Sequence, residues 1–380
     1  MNSTRQSDRI WNLPILGLLS IALMSLAPVS SFAGDEIDLG DGVSFLPYGQ
    51  LSPSYLGFDD GFETYSEFVD NNHSNTRLGF YLNKQLDSGK LSARFEASIG
   101  LRQSNSVSQG FAPDVIDWGR KDIRWGDFNY ESPRFGKFSW GQGELAAYGV
   151  SSAQDFSGTI LANYASISDT AGSYRFRDSG GMLTDVSMFA AFPTYDGGRF
   201  GRLRYDSPAF GGVTVSTSVG TDILTPETDD LYYDLAARYA RKFDSFQVMG
   251  AVGVLRVEPG KGESSTNLLG GFGLLHESGF NLEVTGAYRD AGGHFGYGKL
   301  GYMAQWFPVG STAMAVDYYK GFDTAYEGSE TDTWGLGLVQ TFEEINLYGY
   351  IEYRSYGLSD NTGRSYERAS SLLAGVTRTF

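Results

Sequence analysis

At residues 77–83 the sequence reads Arg-Leu-Gly-Phe-Tyr-Leu-Asn, with an apolar side chain at every second position. Successive side chains of a β-strand point to opposite faces, so the two leucines and the phenylalanine share one face of a predicted strand. The arginine, the tyrosine and the asparagine lie on the other face. The same period of two recurs in three later segments, which are 93–102, 299–306 and 346–354. The pattern predicts a chain built from amphipathic strands.

The two predicted faces differ in their composition. Arginine, glutamate and lysine recur at the centre of the polar face, and the apolar face is rich in aromatic residues. This combination is typical of a transmembrane barrel, in which lipid surrounds the wall and water fills the lumen. Aromatic residues near the predicted strand ends suit the two interfaces between lipid and water. A soluble β-sandwich, with its aromatic residues in a core, is the alternative.

Short and long connections alternate between the predicted strands. Seven short turns are predicted at 87–89, 131–136, 206–212, 243–245, 277–279, 307–311 and 342–345. Eight longer polar loops are predicted at 59–75, 103–119, 142–198, 221–229, 257–266, 290–294, 321–331 and 357–367. Fifteen connections separate sixteen strands, and short periplasmic turns with long external loops are the pattern of outer-membrane barrels. The predicted fold class is all-β: a sixteen-stranded antiparallel transmembrane β-barrel, wide enough to hold water.

The N-terminus has the features of a secretory signal peptide. A basic start is followed by an apolar stretch at 13–27, which is too short to span a bilayer. The small residues Ser31 and Ala33 then fit a cleavage site. A retained anchor helix is the alternative. The predicted domains are therefore a signal peptide at 1–33 and a barrel at 34–380.

The composition excludes several classes of function. The 380 residues include 29 Lys and Arg, 45 Asp and Glu, and no cysteine, for a net charge of −16. This acidity argues against a nucleic-acid partner, which requires a basic surface. A chain without cysteine forms no disulfide, thiolate nucleophile or cysteine zinc site. His73 and His294 fall in predicted external loops and His276 beside a turn, and no segment suggests the Ser–His pair of a barrel hydrolase. An enzyme is not predicted.

Several motifs resemble those of the Gram-negative general porins, which are trimeric sixteen-stranded channels. The segment 76–80, Thr-Arg-Leu-Gly-Phe, is similar to the second strand of that family. Arg124, followed by Phe-Gly-Lys-Phe-Ser-Trp-Gly at 135–141, resembles the strand pair before the family's third loop. The sequence Arg-Tyr-Asp-Ser-Pro-Ala-Phe-Gly-Gly at 204–212 is close to a turn of the family. The terminal Phe380 resembles the signal that outer-membrane assembly machinery reads.

The resemblance implies that the third loop, 142–198, folds into the barrel and narrows the pore. One short hairpin is predicted within this loop, at 174–192. In the family an acid on the loop faces arginines of the wall, and the acid here is expected to be Asp155. The expected wall arginines are Arg77, Arg124, Arg94 and Arg102, with Arg120 as an addition and Arg175, Arg177 or Arg202 as a further candidate. The alternative for each arginine is an ordinary lumen residue paired with Glu96 or Asp122.

These features predict an outer-membrane porin of a Gram-negative bacterium, with a water-filled channel for passive diffusion of ions and small hydrophilic solutes. Opposed charges across the narrowing would favour dipolar solutes. The acidic loops favour cations over anions. A substrate-specific channel is the alternative, with Tyr297, Tyr348 and Tyr350 as candidates for an aromatic row along the lumen. A structural or adhesin barrel is a third alternative.

The expected partners follow from the same features. The resemblance implies a homotrimer, and the chain would contact outer-membrane lipid, lipopolysaccharide, and the assembly machinery that reads Phe380. No nucleic-acid partner and no cofactor are predicted. Acidic groups at 59–60, 227–230 and 327–332 leave two alternatives, which are bridging by structural Ca²⁺ or Mg²⁺ ions and simple solvation.

Overall fold

The structure, a computed structural model, describes residues 36–226 and 228–380. The predicted signal peptide at 1–33 lies outside these residues and stays a prediction. β-Strands dominate the described chain, and its two α-helices have four residues each. Within the described ranges no helix is long and apolar enough to cross a membrane.

The strands are numbered β1 to β21 in chain order. They are Ile37–Gly40, Val43–Leu51, Pro53–Asp59, Thr64–Asp70, Arg77–Leu86, Gly89–Ser98, Ile123–Ser132, Gly136–Glu144, Arg175–Arg177, Leu183–Ser187, Arg199–Asp206, Val213–Thr221, Leu231–Lys242, Phe246–Glu258, Ser265–His276, Phe280–Arg289, His294–Phe307, Gly310–Phe322, Ser329–Phe342, Leu347–Asp360 and Ala369–Thr379. The α-helices are Ser168–Ala171 and Met188–Ala191, and 3-10 helices lie at Asn72–Ser74, Ser104–Ser106, Arg120–Asp122 and Glu343–Ile345.

Eighteen of these strands form one closed antiparallel barrel of sixteen wall strands, because two of the wall strands are interrupted. β2 and β3 are a single wall strand interrupted at Ser52, and β4 and β5 are a single wall strand interrupted at 71–76. β1 pairs with β2 and adds no wall strand of its own. β9 pairs with β10 in a separate two-stranded sheet that is not part of the wall. The barrel closes where β21 pairs with β2 and β3, and Gly49 and Phe380 exchange two main-chain hydrogen bonds at this seam. The predicted sixteen-stranded barrel is confirmed.

The predicted number of connections is also confirmed, with two corrections. Fifteen connections join the sixteen wall strands, and the longest is 145–198. Two of the predicted long loops are short, because the connections at 60–63 and 290–293 have four residues each. The predicted loop at 59–75 is wrong over 64–70, because Thr64–Asp70 forms β4 and pairs with β3. The predicted hairpin at 174–192 corresponds to β9 and β10.

The two faces of the wall are those that the alternation predicts. Leu300 is 60 % exposed, while its neighbour Lys299 is 1 % exposed. Leu78 is likewise 51 % exposed, next to Arg77 on the opposite face. A soluble sandwich would bury the leucines and expose the charges, so this reversal excludes the sandwich alternative. The polar face therefore lines the inside of the barrel.

Candidate functional site: the inward wall and the segment 145–198

An arginine cluster surrounds one glutamate on the inward face of β5, β6 and β7. Glu96 pairs with Arg94 Nη2 at 2.7 Å and with Arg124 Nε at 2.6 Å, and Arg77 Nε lies 3.7 Å from its carboxylate. The hydroxyl of Tyr48, on β2, also donates to Glu96 at 2.8 Å. Four adjacent wall strands therefore meet at one carboxylate. The structure brings together three of the predicted arginines, and their common partner is Glu96.

A local irregularity turns Arg124 into this cluster. The pairing of β6 with β7 shifts register between Glu96 and Ala97, opposite Arg124. Such a bulge puts two successive side chains on one face, here Arg124 together with Trp125. The guanidinium carbon of Arg94 lies 4.0 Å from the ring centre of Trp125. Stacking of this kind holds a guanidinium in position while it stays charged.

The cluster presents a net positive charge to the lumen. The Glu96 side chain is 2 % exposed, whereas the three arginine side chains are between 19 and 22 % exposed. Arginine remains protonated in proteins, so one shielded carboxylate balances one of three positive charges. The groups that water and ions reach at this part of the wall are therefore guanidinium groups.

A second group of arginines holds the start of the segment 145–198. Arg202, Arg204 and Arg238 donate to the carbonyl oxygens of residues 144, 145 and 148 at 2.9, 2.8 and 2.7 Å. Arg202 also pairs with a buried aspartate of β7 at 2.8 Å, and its side chain is only 2 % exposed. Arg202, a candidate for the third wall arginine, therefore anchors the backbone beside the cluster.

Arg199, at the first residue of β11, is an accessible arginine that the sequence analysis missed. Its Nη2 lies 2.9 Å from Glu144, its guanidinium carbon lies 4.8 Å from the ring centre of Tyr148, and its side chain is 22 % exposed. Alternation along β11 would put Arg199 on the outward face with Leu203. At the strand end the side chain instead turns inward, because Glu144 pairs with it across the strands.

Four other predicted arginines lie at the external connections, away from Glu96. Arg102 pairs with Glu67 at 2.8 Å, and Arg120 donates to the carbonyl of Ile223 at 2.8 Å. Arg175 lies 3.6 Å from Asp185 within the β9–β10 hairpin. Arg177 pairs at 2.6 Å with the aspartate at position 60, in the first external loop. Arg120 and Arg177 therefore join two connections to each other, Arg102 joins a connection to β4, and Arg175 bonds within its own hairpin.

The Asp60–Arg177 contact gives a pH-dependent prediction. Burial works against the charged form of Asp60, but main-chain amides and Arg177 outweigh it, so the pKa lies below its ordinary value of 3.8. A lowered folded-state pKa stabilises the fold above the ordinary value, and this contribution is lost as pH falls through the lowered pKa. We expect amide protection of the 175–187 hairpin to persist to about pH 4 and to fall below it. Hydrogen exchange measures this, and loss of protection already near neutral pH would contradict it; Asp60→Asn should flatten the dependence.

The segment 145–198 contacts inward side chains over much of the wall. Its first amides, at 146 and 147, donate to Ser218 and Asp234. Further along, Asn163 Nδ2 donates to Asp317 at 2.9 Å, and Thr170 Oγ1 donates to Glu352 at 2.7 Å. The contacted side chains lie on β12, β13, β18 and β20. Residues 146, 147, 163 and 170 of the segment therefore contact polar side chains of four wall strands.

Glycines in the wall make room for this packing. A Cβ atom built on Gly273 would overlap the carbonyl oxygen of Gln154, and one on Gly337 would overlap Asn163 Oδ1. A larger residue at position 273 would therefore push the backbone of the segment off the wall, whereas one at position 337 would displace the Asn163 side chain.

Asp155 lies within this packing, apart from the arginine cluster. Its Oδ2 accepts a hydrogen bond from Lys299 Nζ at 2.7 Å, and its Oδ1 accepts one from the Ser157 amide at 2.6 Å. Lys299 also donates to the carbonyl of Asn163 at 2.7 Å. The side chains of Asp155 and Lys299 are 6 and 1 % exposed. The structure therefore pairs the predicted acid with a lysine of β17.

A second buried ion network lies nearby on β18 and β20. Arg354 donates to both carboxylate oxygens of Asp317, at 2.9 and 2.8 Å, and to Glu352 at 2.8 Å. All three side chains are 0 % exposed. His73 Nε2 lies 3.6 Å from Glu352, so this histidine is buried in the break between β4 and β5 and does not lie in an external loop.

Comparison with known proteins identifies the family. A family model described as Gram-negative porin matches residues 20–367. This chain is a Gram-negative porin. It forms a water-filled channel for small solutes in the outer membrane of a Gram-negative bacterium. A search of curated proteins gives no match.

Solved porin structures share the fold at low sequence identity. The anion-selective porin of Comamonas acidovorans is 14 % identical, covering 89 % of this porin and 100 % of that chain, with a TM-score of 0.59. OmpF of Salmonella typhi, solved with daunomycin, is 14 % identical over 91 % and 100 %, with a TM-score of 0.55. The trimer form of OmpT of Vibrio cholerae is 16 % identical over 90 % and 100 %, with a TM-score of 0.53.

The Asp155–Lys299 pair in this porin gives a second prediction. Asp155→Asn keeps the shape of the side chain but leaves a buried ammonium without its carboxylate, a loss that costs about 3 kcal/mol. We expect faster hydrogen exchange of amides 154–160, and recovery when Lys299→Met is added. Unchanged exchange together with a shift in ion selectivity would instead show that Asp155 acts on permeating ions.

Proposed function

We propose that this porin is a passive diffusion channel whose narrowest passage runs between the arginine cluster and the segment 145–198. The observation that carries the proposal is a contrast in exposure. Arg77, Arg124 and Arg199 are 21 to 22 % exposed, whereas the inward ions Lys299 and Arg354 are 1 and 0 % exposed. Water reaches the wall near β5 to β11, and the segment covers the wall near β17 to β20.

The charges along this passage support a preference for anions. Two acids on the covered side are paired, Asp155 with Lys299 and Asp317 with Arg354. The accessible side presents guanidinium groups, which attract anions and repel cations over roughly a Debye length, about 8 Å at physiological ionic strength. The proposal therefore reverses the cation preference expected from the net charge of −16, because selectivity depends on charge at the narrowing.

A reversal-potential measurement tests the proposal. Purified oligomer in a planar bilayer under a KCl gradient should give a reversal potential shifted toward the equilibrium potential of chloride. A shift toward the equilibrium potential of potassium would contradict the proposed passage. Absence of ion conductance would instead favour a structural or adhesin barrel.

A substrate-specific channel with an aromatic row remains the second candidate, but the structure offers it little support. Tyr297 is 2 % exposed and donates to Asp317, and Tyr350 is 5 % exposed and bonds to Ser54. Rings that are covered and hydrogen-bonded in this way present no stacking surface to a sugar. We expect no block of the current by neutral sugars.

We also propose that the protein assembles as a homotrimer, as the trimer form of Vibrio cholerae OmpT does. The connection 99–122 carries an apolar tip whose side chains are 54 to 64 % exposed: Phe111, Val115, Ile116 and Trp118. Such a patch is typical of a protein contact. Replacing Ile116 and Trp118 with serine should lower the temperature at which the native oligomer dissociates on gels.

Three further expectations are part of the proposal. The assembly machinery would read Phe380 before the barrel closes, because closure pairs it with Gly49. External acidic groups would meet lipopolysaccharide, with or without bridging Ca²⁺ or Mg²⁺. Within the described residues no group of three or more His, Asp and Glu is arranged to hold a metal ion. If ions bridge the acidic groups, a chelator should lower the temperature at which the oligomer dissociates. If the groups are only solvated, the chelator should leave that temperature unchanged. No catalytic role is proposed.

A further inference from the structure

A cavity of about 300 Å³ lies beside the arginine cluster, near the external ends of β7, β8 and β11. Its lining includes Asn75, Lys121, Arg124, Gln142 and Arg199. The loop between β12 and β13 also lines it, and the bond from Arg120 to the Ile223 carbonyl ties this loop to the connection 99–122. The cavity is therefore a partly open pocket next to the proposed passage.

The charges around the cavity are unbalanced toward the positive. Its lining carries three cations, Lys121, Arg124 and Arg199, against two carboxylates, Asp122 and Asp222. Asp122 accepts from Ser98 and from the Gly119 amide, and Asp222 accepts from the amides at 224 and 225. Lys121 is exposed, and Arg124 contacts Glu96 through Nε. Cationic N–H groups of Lys121 and Arg124 remain for a solute, so an anionic group is the species that this cavity attracts.

Several buried polar atoms in the same wall lack hydrogen-bond partners. Gln142 Oε1, Asn75 Oδ1 and Arg199 Nε are buried and unpaired, and the residues Gln142 and Asn75 are 5 and 4 % exposed. The orientation of Gln142 is fixed by its Nε2, which donates to the Arg199 carbonyl at 3.1 Å. Buried polar atoms in proteins are nearly always paired, so these two acceptors beside one cavity are positions that a water molecule or a solute donor can fill.

We propose that this cavity is a binding subsite for small organic anions that also carry hydroxyl groups, such as hydroxycarboxylates. The carboxylate would lie against Arg124 and Arg199, and hydroxyl groups would donate to the carboxamide oxygens of Gln142 and Asn75. The terminal torsions of Asn and Gln are broad, so rotation turns these oxygens toward a solute, and at Gln142 this rotation exchanges the bond to the Arg199 carbonyl for the bond to the solute. Chloride leaves both amides unpaired, and a neutral polyol leaves the cations unpaired. The inference rests on the proposed passage of anions along the arginine cluster.

Three solutes with three carbons each test this inference on the native oligomer. Glycerate carries a carboxylate and hydroxyls, propanoate lacks the hydroxyls, and glycerol lacks the charge. We expect glycerate to reduce the single-channel chloride current at a concentration about tenfold below that of propanoate, the effect of roughly one hydrogen bond to a buried acceptor. Glycerol should have no effect at the same concentrations.

Variants then locate the effect. The double variant Gln142→Met, Asn75→Leu should bring the half-blocking concentration of glycerate to that of propanoate. Gln85→Met, the same change at the far end of β5, is the matched control and should keep the tenfold difference. Equal block by glycerate and propanoate in the unaltered protein would overturn the subsite while leaving chloride preference intact. Persistence of the difference in the double variant would overturn it too. A potassium-selective channel would instead contradict the proposed function.

Discussion

Arg124→Glu is expected to turn the proposed chloride preference into a potassium preference. One unit charge about 6 Å from the ion path is worth about 0.5–1 kcal/mol in water, and reversal changes the local charge by two units. Anions and cations respond in opposite directions. After screening by salt, we expect a shift of about tenfold in the ratio of chloride to potassium permeability. The new carboxylate would also lie beside Glu96, leaving Arg77 and Arg94 to neutralise the two acids.

Reversal potentials in a KCl gradient measure this shift. Arg175→Glu is the matched control, because it makes the same change of charge in the external β9–β10 hairpin, where Arg175 is exposed and lies 3.6 Å from Asp185. It should leave the reversal potential unchanged. Arg124→Ala should give about half of the logarithmic shift, since it removes one charge instead of two. If Arg124→Glu and Arg175→Glu behave alike, permeating ions do not pass close to the arginine cluster.

The fold was largely readable from the sequence because two physical constraints act on every wall strand. Lipid outside and water inside impose a period of two, which segment 77–83 already displays. Tight turns on one side impose the rhythm of connections. The prediction failed at 64–70, where Thr64–Asp70 continues the pairing with β3 although its composition is polar.

The candidate site was readable only in part. Alternation placed Arg77, Arg94 and Glu96 correctly on one face, since they lie within regular strands. It could not predict that a bulge turns Arg124 inward, or that Arg199 turns inward at a strand end. The partner of Asp155 was missed for another reason. It depends on how the segment 145–198 packs, and Gly273, which admits Gln154, gives only a weak sign of that packing.

Arg354→Met is expected to destabilise the contact between the segment 145–198 and the wall more than any other single change considered. The substitution leaves the carboxylates of Asp317 and Glu352 buried without a cation, and loss of one partner of a buried ion pair costs about 3–5 kcal/mol. Both carboxylates also accept hydrogen bonds from the segment, through Asn163 and Thr170. Water entering to solvate the two anions would compete with these bonds. We therefore expect faster hydrogen exchange around 163–170 and a larger single-channel conductance.

A variant in which the side chains at positions 354, 317 and 352 are all uncharged distinguishes the effect of lost charge pairing from the effect of lost packing. The triple variant Arg354→Met, Asp317→Asn, Glu352→Gln removes every charge but keeps a carbonyl oxygen at each acceptor, so it should recover most of the lost protection. Arg256→Met, which disrupts an exposed pair with Glu258 at 3.7 Å, is the control and should cost less than about 1 kcal/mol. Recovery in the triple variant would mean that the network acts by mutual neutralisation. A triple variant as unstable as Arg354→Met would mean that the arginine's packing, and not its charge, holds the segment against the wall.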